Sequence, residues 1–360
     1  MIDIYNGAFS GKRVLVTGHT GFKGSWLCIW LHKIGAEVIG VGLDPYSPKD
    51  NFVLSGVGDK IKADIRADIR NGQKMKEIFA EYQPEIVFHL AAQPLVRLSY
   101  EIPVETYQTN VMGTINIMEA IRATDSVRVA VMITTDKCYE NKEQIWGYRE
   151  NEPMGGYDPY SSSKGAAEIA ISSWRRSFFN PADYGMKHHV SIASVRAGNV
   201  IGGGDWAKDR IVPDCIRAIE AGQPIEIRNP KAIRPWQHVL EPLSGYMLLA
   251  SKMLQEPIKY CEGWNFGPKA ESIMPVWDVA TMLTRYYGDG ELKDVSDPNA
   301  LHEANLLMLD ISKAKFQLGW EPRMNIEQCC KLTAEWYKRY HHEDVYSLCV
   351  EQISFFTKRR

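Results

Sequence analysis

The sequence has no Cys-x-x-Cys pair, no long apolar run and no marked excess of either charge, and each absence excludes something. Seven cysteines are scattered over 360 residues, an odd number in burial-prone settings such as Cys28 within WLCIWL. Such thiols are expected to stay reduced, which points to a cytoplasmic chain, and no metal site is expected. Adjacent Cys329 and Cys330 read as packed helix residues and not as a redox device. No stretch approaches the ~20 apolar residues that span a bilayer. Residues 1–13 carry Asp3 and no apolar core, so they do not read as a secretory signal. A net charge of -2 supplies no field that would gather nucleic acid. Any phosphorylated substrate must therefore be met by locally placed arginines.

What is present is the mixture of a soluble globular protein, 45% hydrophobic and 24% charged, and long enough for two lobes. Short β-rich runs at 13–16, 37–43, 86–90, 128–134 and 189–195 alternate with helical patterns at 25–34, 73–82, 104–122 and 161–178. That alternation predicts an α/β, Rossmann-type, doubly wound parallel sheet. IVFHL and VAVMITT are almost wholly apolar, as strands covered on both faces should be. Beyond Arg196 glycine and proline cluster and strands shorten, with helical patterns at 212–221, 243–254, 276–287 and 326–340. The expected division is a dinucleotide-binding domain over 1–195, a smaller α/β substrate lobe over 196–345 and a tail over 346–360. Segments near 231–265 are expected to return to the first domain.

The segment RVLVTGHTGFKGSW sets Gly18, Gly21 and Gly24 between the first strand and the first helix, with Thr20, Phe22 and Lys23 in the same turn. Glycines there permit a tight turn and let backbone N–H groups approach a pyrophosphate. The spacing is G-x-x-G-x-x-G, and alone it also fits an ordinary loop. The second strand ends at Asp44, placed to hold the adenosine ribose, and a carboxylate there favours NAD over NADP. Asp44 before Pro45 also fits a simple turn. Asp68-Ile69 are assigned to the adenine side after the third strand, although Asp64-Ile65 repeats the same letters. Leu90, Ala91 and Ala92 of HLAAQP, together with Thr109, complete the NAD site. His89 reads as a core histidine.

Tyr160 and Lys164 form Tyr-x-x-x-Lys, which puts both side chains on one helical face. A tyrosine base needs its pKa brought well down from about 10, and a lysine ammonium and a cationic nicotinamide would do so. An exposed surface pair has the same spacing. The fifth strand ends in Ile133-Thr134-Thr135-Asp136-Lys137, where open parallel sheets carry their chemistry. Strand-end turn chemistry with a salt bridge is the alternative. Successive side chains on a strand point to opposite faces, so Asp136 and Lys137 can share a substrate only if the strand breaks into a turn.

GHTGFKG, HLAAQP, YSSSK, RAGNVIG and RPWQHV together resemble the extended short-chain dehydrogenase/reductase family over nearly the whole chain. TTDK resembles the Thr-Asp-Glu strand end of its nucleotide-sugar 4,6-dehydratases, with lysine where most relatives carry glutamate. The resemblance implies a redox-neutral dehydration of a glucose carried on a cytidine diphosphate. In it Tyr160 is the C4 base, Thr135 the hydroxyl partner, Asp136 the acid at O6 and Lys137 the group at C5. It further implies that Gln93, Asn199, Arg210, Arg228 and Arg234 bind the sugar nucleotide. Homodimers or homotetramers, and a role supplying dideoxyhexoses to surface polysaccharide, also follow from it. A C4 epimerase uses the same fold, NAD, threonine and Tyr/Lys pair but has no use for Asp136-Lys137. A non-catalytic NAD sensor would not need Tyr160 and Lys164.

Overall fold

The apolar runs become the centre of a seven-stranded parallel sheet in the computed structural model, which describes residues 3–297 and 306–359. Its strands are β1 (Arg13–Thr17), β2 (Glu37–Gly42), β3 (Ala63–Arg66), β4 (Ile86–His89), β5 (Val129–Ile133) and β6 (Ser191–Ala197), with an edge strand Gly263–Phe266. The order is edge strand, β6, β5, β4, β1, β2, β3. Alternate side chains feed two cores. Val14 and Val16 pack with Trp26 and Trp30 of α1 (Phe22–Lys33) on one face. Leu15, Val87, Ala130 and Met132 pack on the other, against the helices Gly72–Tyr82, Gly113–Arg122 and Pro159–Ser177. Strand order reverses between β1 and β4, and in open α/β sheets ligands bind beyond the strand ends at such a switch point.

Several boundaries differ from the sequence reading. Of the two ADIR repeats the first is β3, which places Asp68-Ile69 just after it. β6 runs two residues later than the pattern 189–195. The helix expected over 104–122 is interrupted by a π turn, Gln108–Met112, which seats Asn110 where its side chain accepts from Gln93 N and donates to Ser163 Oγ. Tertiary hydrogen bonding there outweighs continuous helical periodicity.

Residues 346–358, read as tail, belong instead to a helix, Val345–Lys358, capped by Asp344, whose carboxylate accepts from Ser347 N at 2.8 Å. Val345, Leu348, Cys349, Ile353 and Phe356 are buried, and the Phe356 ring meets Trp30 of α1 edge-on at 5.8 Å. Beyond β6 short strand pairs join distant segments, including Ile233–Pro235 with Ile273–Pro275 and Ile225–Ile227 with Leu292–Asp294. The buried helix Leu240–Gln255 then leads back to the edge strand of the main sheet. All seven cysteines are buried and unpaired. No helix among the described residues is long and apolar enough to cross a membrane.

Candidate active site

A cleft of about 1160 Å³ opens along the carboxyl ends of the strands, and every residue assigned to a site from the sequence lines it. Its floor is the glycine turn after β1. Gly18 adopts φ +70°, and a Cβ on it would lie 2.8 Å from the Ala91 backbone, so the turn presses directly on the end of β4. A Cβ on Gly24 would lie 2.1 Å from Gly18 O, so only glycine lets α1 start this close to the turn. No side chain caps α1, and its first turn holds no acidic residue. Its free N–H groups face the cleft, a setting that suits a pyrophosphate. Thr20 Oγ1 donates to Leu43 O at 3.0 Å, tying this loop to the end of β2.

Asp44 follows β2 with its side chain largely open to solvent, and Arg66 Nε meets its Oδ1 at 3.2 Å. Arg66 is itself gripped by Asp64 and lies over the Phe52 ring at 5.2 Å. The sequence reading did not single out Arg66, because the ADIR repeat left its register open. Asp68 holds Arg70 in a fork, and Ile69 packs so tightly on Gly113 that a Cβ there would come within 2.5 Å. His89 is a satisfied core residue between Thr17 Oγ1 at 2.7 Å and Thr114 Oγ1 at 3.0 Å, and burial brings its pKa to about 3. Gln93 lines the cleft, but its amide is engaged with Leu95 and Thr106, so it contributes shape.

The chain after β5 turns at once. Thr135 stands at the head of a 3-10 turn, Asp136–Cys138, its Oγ1 accepting from Lys137 N at 3.4 Å. That turn breaks the strand alternation and lets both Asp136 and Lys137 face the cleft. Thr134 points the other way, its hydroxyl donating to Glu168 on the helix Pro159–Ser177. Thr135 Oγ1 donates to Asp136 Oδ1 at 3.0 Å, while Asp136 Oδ2 is buried without a partner. Gly198 makes room for that carboxylate, since a Cβ there would lie 3.1 Å from Oδ2. Burial raises the Asp136 carboxyl above the ordinary range although Lys137, Thr135, Arg234 and Lys23 oppose this.

Tyr160 and Lys164 occupy the first two turns of the helix Pro159–Ser177, which Asp158 caps by accepting from Ser161 N at 2.9 Å. Tyr160 N donates to Ser99 Oγ at 3.1 Å. The sequence reading expected Lys164 to help bring the phenol down. In the chain itself burial dominates and pushes Tyr160 up to about 12, with Thr135 and Arg210 as the opposing influences. Burial also draws Lys164 down to about 8, with Glu168 holding it up. Glu168 in turn forms a buried ion pair with Arg196 of β6 at 2.8 Å.

The far wall comes from segments beyond β6. Asn199, Arg210, Arg228 and Arg234 all line it. Arg210 donates to buried Asp205 at 2.8 Å, and Arg228 to Asp209 at 2.5 Å. Asp205 and Asp209, which pair with these guanidinium groups, were not singled out in the sequence, where they fall in the stretch beyond Arg196 in which glycine and proline cluster.

With this geometry the comparisons with known proteins agree. A family model described as GDP-mannose 4,6 dehydratase matches residues 15–333. CDP-glucose 4,6-dehydratase from Salmonella typhimurium is 52% identical over 341 residues, 95% of this chain and 94% of that one. Among solved structures, dTDP-glucose 4,6-dehydratase from Bacillus anthracis in complex with NAD superposes with TM-score 0.74 at 20% identity, over 91% of this chain and 97% of that one. UDP-glucose 4-epimerase from Stenotrophomonas maltophila, with bound NAD, gives TM-score 0.78 at 21% identity, over 92% and 99%. The last two show the fold. The chain belongs to the GDP-mannose 4,6 dehydratase family, within the extended short-chain dehydrogenase/reductases.

Proposed function

We propose that this chain converts CDP-D-glucose to CDP-4-dehydro-6-deoxy-D-glucose, using tightly bound NAD. The observation that carries the reading is the 3-10 turn after β5, which brings Asp136 and Lys137 into the cleft beside Thr135 and Tyr160. An epimerase would gain nothing from that pair. The cleft volume, about 1160 Å³, exceeds the ~300–1,000 Å³ of a single small-molecule site and suits two nucleotides. The uncapped start of α1, the close glycine turn and the carboxylate of Asp44 fit a dinucleotide with free ribose hydroxyls.

NAD held by the glycine turn, the start of α1 and Asp44 would supply the hydride acceptor for oxidation at C4 and the hydride donor for reduction at C6. Tyr160 accepts the O4 proton as C4 is oxidised, with the Thr135 hydroxyl positioning O4. The new ketone acidifies C5, and Lys137, as a neutral amine in the ternary complex, takes that proton and becomes an ammonium. Asp136, whose carboxyl burial raises above the ordinary range, is the acid that gives a proton to O6 so that it leaves as water. Arg210, Arg228 and Arg234 hold the diphosphate and nucleotide, and Asn199 the sugar end. Arginine suits this work because its planar fork donates two bonds to a phosphate.

A homodimer or homotetramer is part of the same reading, and exposed Val104, Met112 and Ile169 on neighbouring segments offer an apolar face for a second copy. Sedimentation would detect it. The reaction itself is tested by incubating the purified protein with CDP-glucose. The expected result is an alkali-induced 4-keto chromophore, no accumulating NADH, and deuterium at C5 in deuterium oxide. Stoichiometric NADH release, or CDP-galactose as product, would reject the dehydratase.

A further inference from the structure

The turn that carries Thr135, Asp136 and Lys137 is held on both flanks by one buried polar network. Before it stands Thr134, whose hydroxyl donates to Glu168. After it stands Tyr139, whose phenol accepts from Arg196 Nη1 at 2.6 Å and donates to Asn265 Oδ1 at 2.8 Å. Glu168 and Arg196 are themselves the buried ion pair, 2.8 Å apart. That pair therefore grips the residue on either side of the turn. Glu168 also belongs to the helix Pro159–Ser177, so the pair sets the turn against the helix that presents Tyr160 and Lys164. The backbone closes the third side. Gly155 N donates to Cys138 O at 2.8 Å, and a Cβ on Gly165, the residue after Lys164, would lie 3.1 Å from that carbonyl oxygen and 2.5 Å from Gly155 O.

Tyr139 itself is wholly buried and stands outside the residues that line the cleft, its ring stacked on Tyr148 at 5.3 Å. Burial pushes its pKa up, so the hydroxyl keeps the proton that it donates to Asn265. Asn265, on the edge strand, is anchored in turn. Its backbone N donates to Glu150 Oε1 at 3.0 Å, and its amide donates to Tyr148 O at 2.8 Å and Asp310 O at 3.1 Å. The phenol thus ties the exit of the turn to the edge of the main sheet. A phenylalanine would fill the same space but lose both directional bonds. We propose that Tyr139 is a positioning residue for the elimination step, its hydroxyl holding Asp136 and Lys137 in register with Tyr160 through the Glu168–Arg196 pair. The proposal rests on the dehydratase reading, which gives Asp136 and Lys137 their work at O6 and C5. Register matters because a misplacement of about 1 Å costs on the order of 10² in rate.

The test is Tyr139→Phe in the full chain, followed by steady-state kinetics on CDP-glucose and by the absorbance of bound cofactor. Its kcat should fall by a factor of roughly 10 to 100 while KM stays within about twofold, since the arginines that hold the nucleotide are untouched. Asp136 and Lys137 lie nearest the loosened end, so C4 oxidation should outrun water loss and enzyme-bound NADH should build up during turnover. Thr134→Val loosens the entrance beside Thr135 and should slow C4 oxidation instead, lowering kcat with no NADH build-up. A general loss of stability would not sort the two steps in this way, and a melting curve shows that each variant is folded. Wild-type turnover in a folded Tyr139→Phe, or in Thr134→Val should the first not fold, would overturn the positioning role. So would a raised KM with kcat unchanged, which would place the effect on substrate binding. A wild-type chain that formed no 4-keto product from CDP-glucose would overturn the dehydratase reading itself, and this assignment with it.

Discussion

On the proposed mechanism, Tyr160 and Lys137 are where individual side chains decide the chemistry. Burial pushes Tyr160 up to about 12, so on the proposed reading the positive nicotinamide of a bound NAD would have to do the lowering. Tyr160→Phe keeps the ring and removes the proton acceptor. Turnover should fall by a factor on the order of 10² to 10⁴ with little change in CDP-glucose affinity, as steady-state kinetics with direct binding will show. Lys137→Met is expected to separate the half-reactions, sparing C4 oxidation and blocking water loss. Enzyme-bound NADH should then appear by its absorbance when substrate is added. Product formed at an ordinary rate would place the C5 base elsewhere. These residues were legible in the sequence because each sits where a strand or helix end must present polar groups. Their surroundings were not. That Tyr160 is raised, and that Asp205 and Asp209 aim the arginines, depends on burial and on contacts between segments far apart in the chain.

The helix Pro159–Ser177 has a second function besides presenting Tyr160 and Lys164, because Glu168, one turn beyond Lys164, ties it to β6. Glu168 accepts from Thr134, Ser194 and Arg196, all buried, and so locks the helix against the ends of two strands. Burial alone would raise the Glu168 carboxyl, yet Arg196 and the hydroxyl donors bring it below the ordinary range. A depressed folded pKa contributes stability above the unfolded value of about 4.3, and that contribution is lost as pH falls through the folded value. Glu168→Gln leaves Arg196 buried without its charge partner, a loss of about 3–5 kcal/mol. Its melting temperature at pH 7 should drop by several degrees, and the acid-side decline of stability should flatten. An unchanged melting profile would show that the pair adds nothing. Such a pair is hidden from sequence inspection, since 28 residues separate its members and each reads as an ordinary charge on an amphipathic element. The π turn Gln108–Met112 was hidden for a similar reason, as Asn110 earns its place only through Gln93 and Ser163.

At the scale of the whole molecule, the first half of the fold was legible because βαβ units announce themselves by strong, local periodicity. The second half was less so, since its strands are two to four residues long and pair across wide gaps. The C-terminal helix Val345–Lys358 shows what was missed. Val345, Leu348, Cys349, Gln352, Ile353 and Phe356 repeat at helical spacing and are all buried, although the chain ends in basic residues that look like a tail. The helix covers α1, the element that starts at the glycine turn, and so supports the cofactor floor from behind. Burying a large apolar side chain is worth about 1.5–3 kcal/mol. Val345, Leu348, Ile353 and Phe356 together therefore rival the whole net stability of a typical domain, about 5–15 kcal/mol. Ending the chain at Asp344 should expose Trp30 and its neighbours and leave the protein insoluble or unfolded by circular dichroism. The milder Phe356→Ala removes only the ring that meets Trp30 and should cost about 3–5 kcal/mol, read from a denaturant midpoint. Because α1 then loses its backing, NAD retention through gel filtration should weaken along with stability. If Phe356→Ala lowered the midpoint but left NAD retention intact, the helix would stabilise the sheet without supporting the cofactor floor.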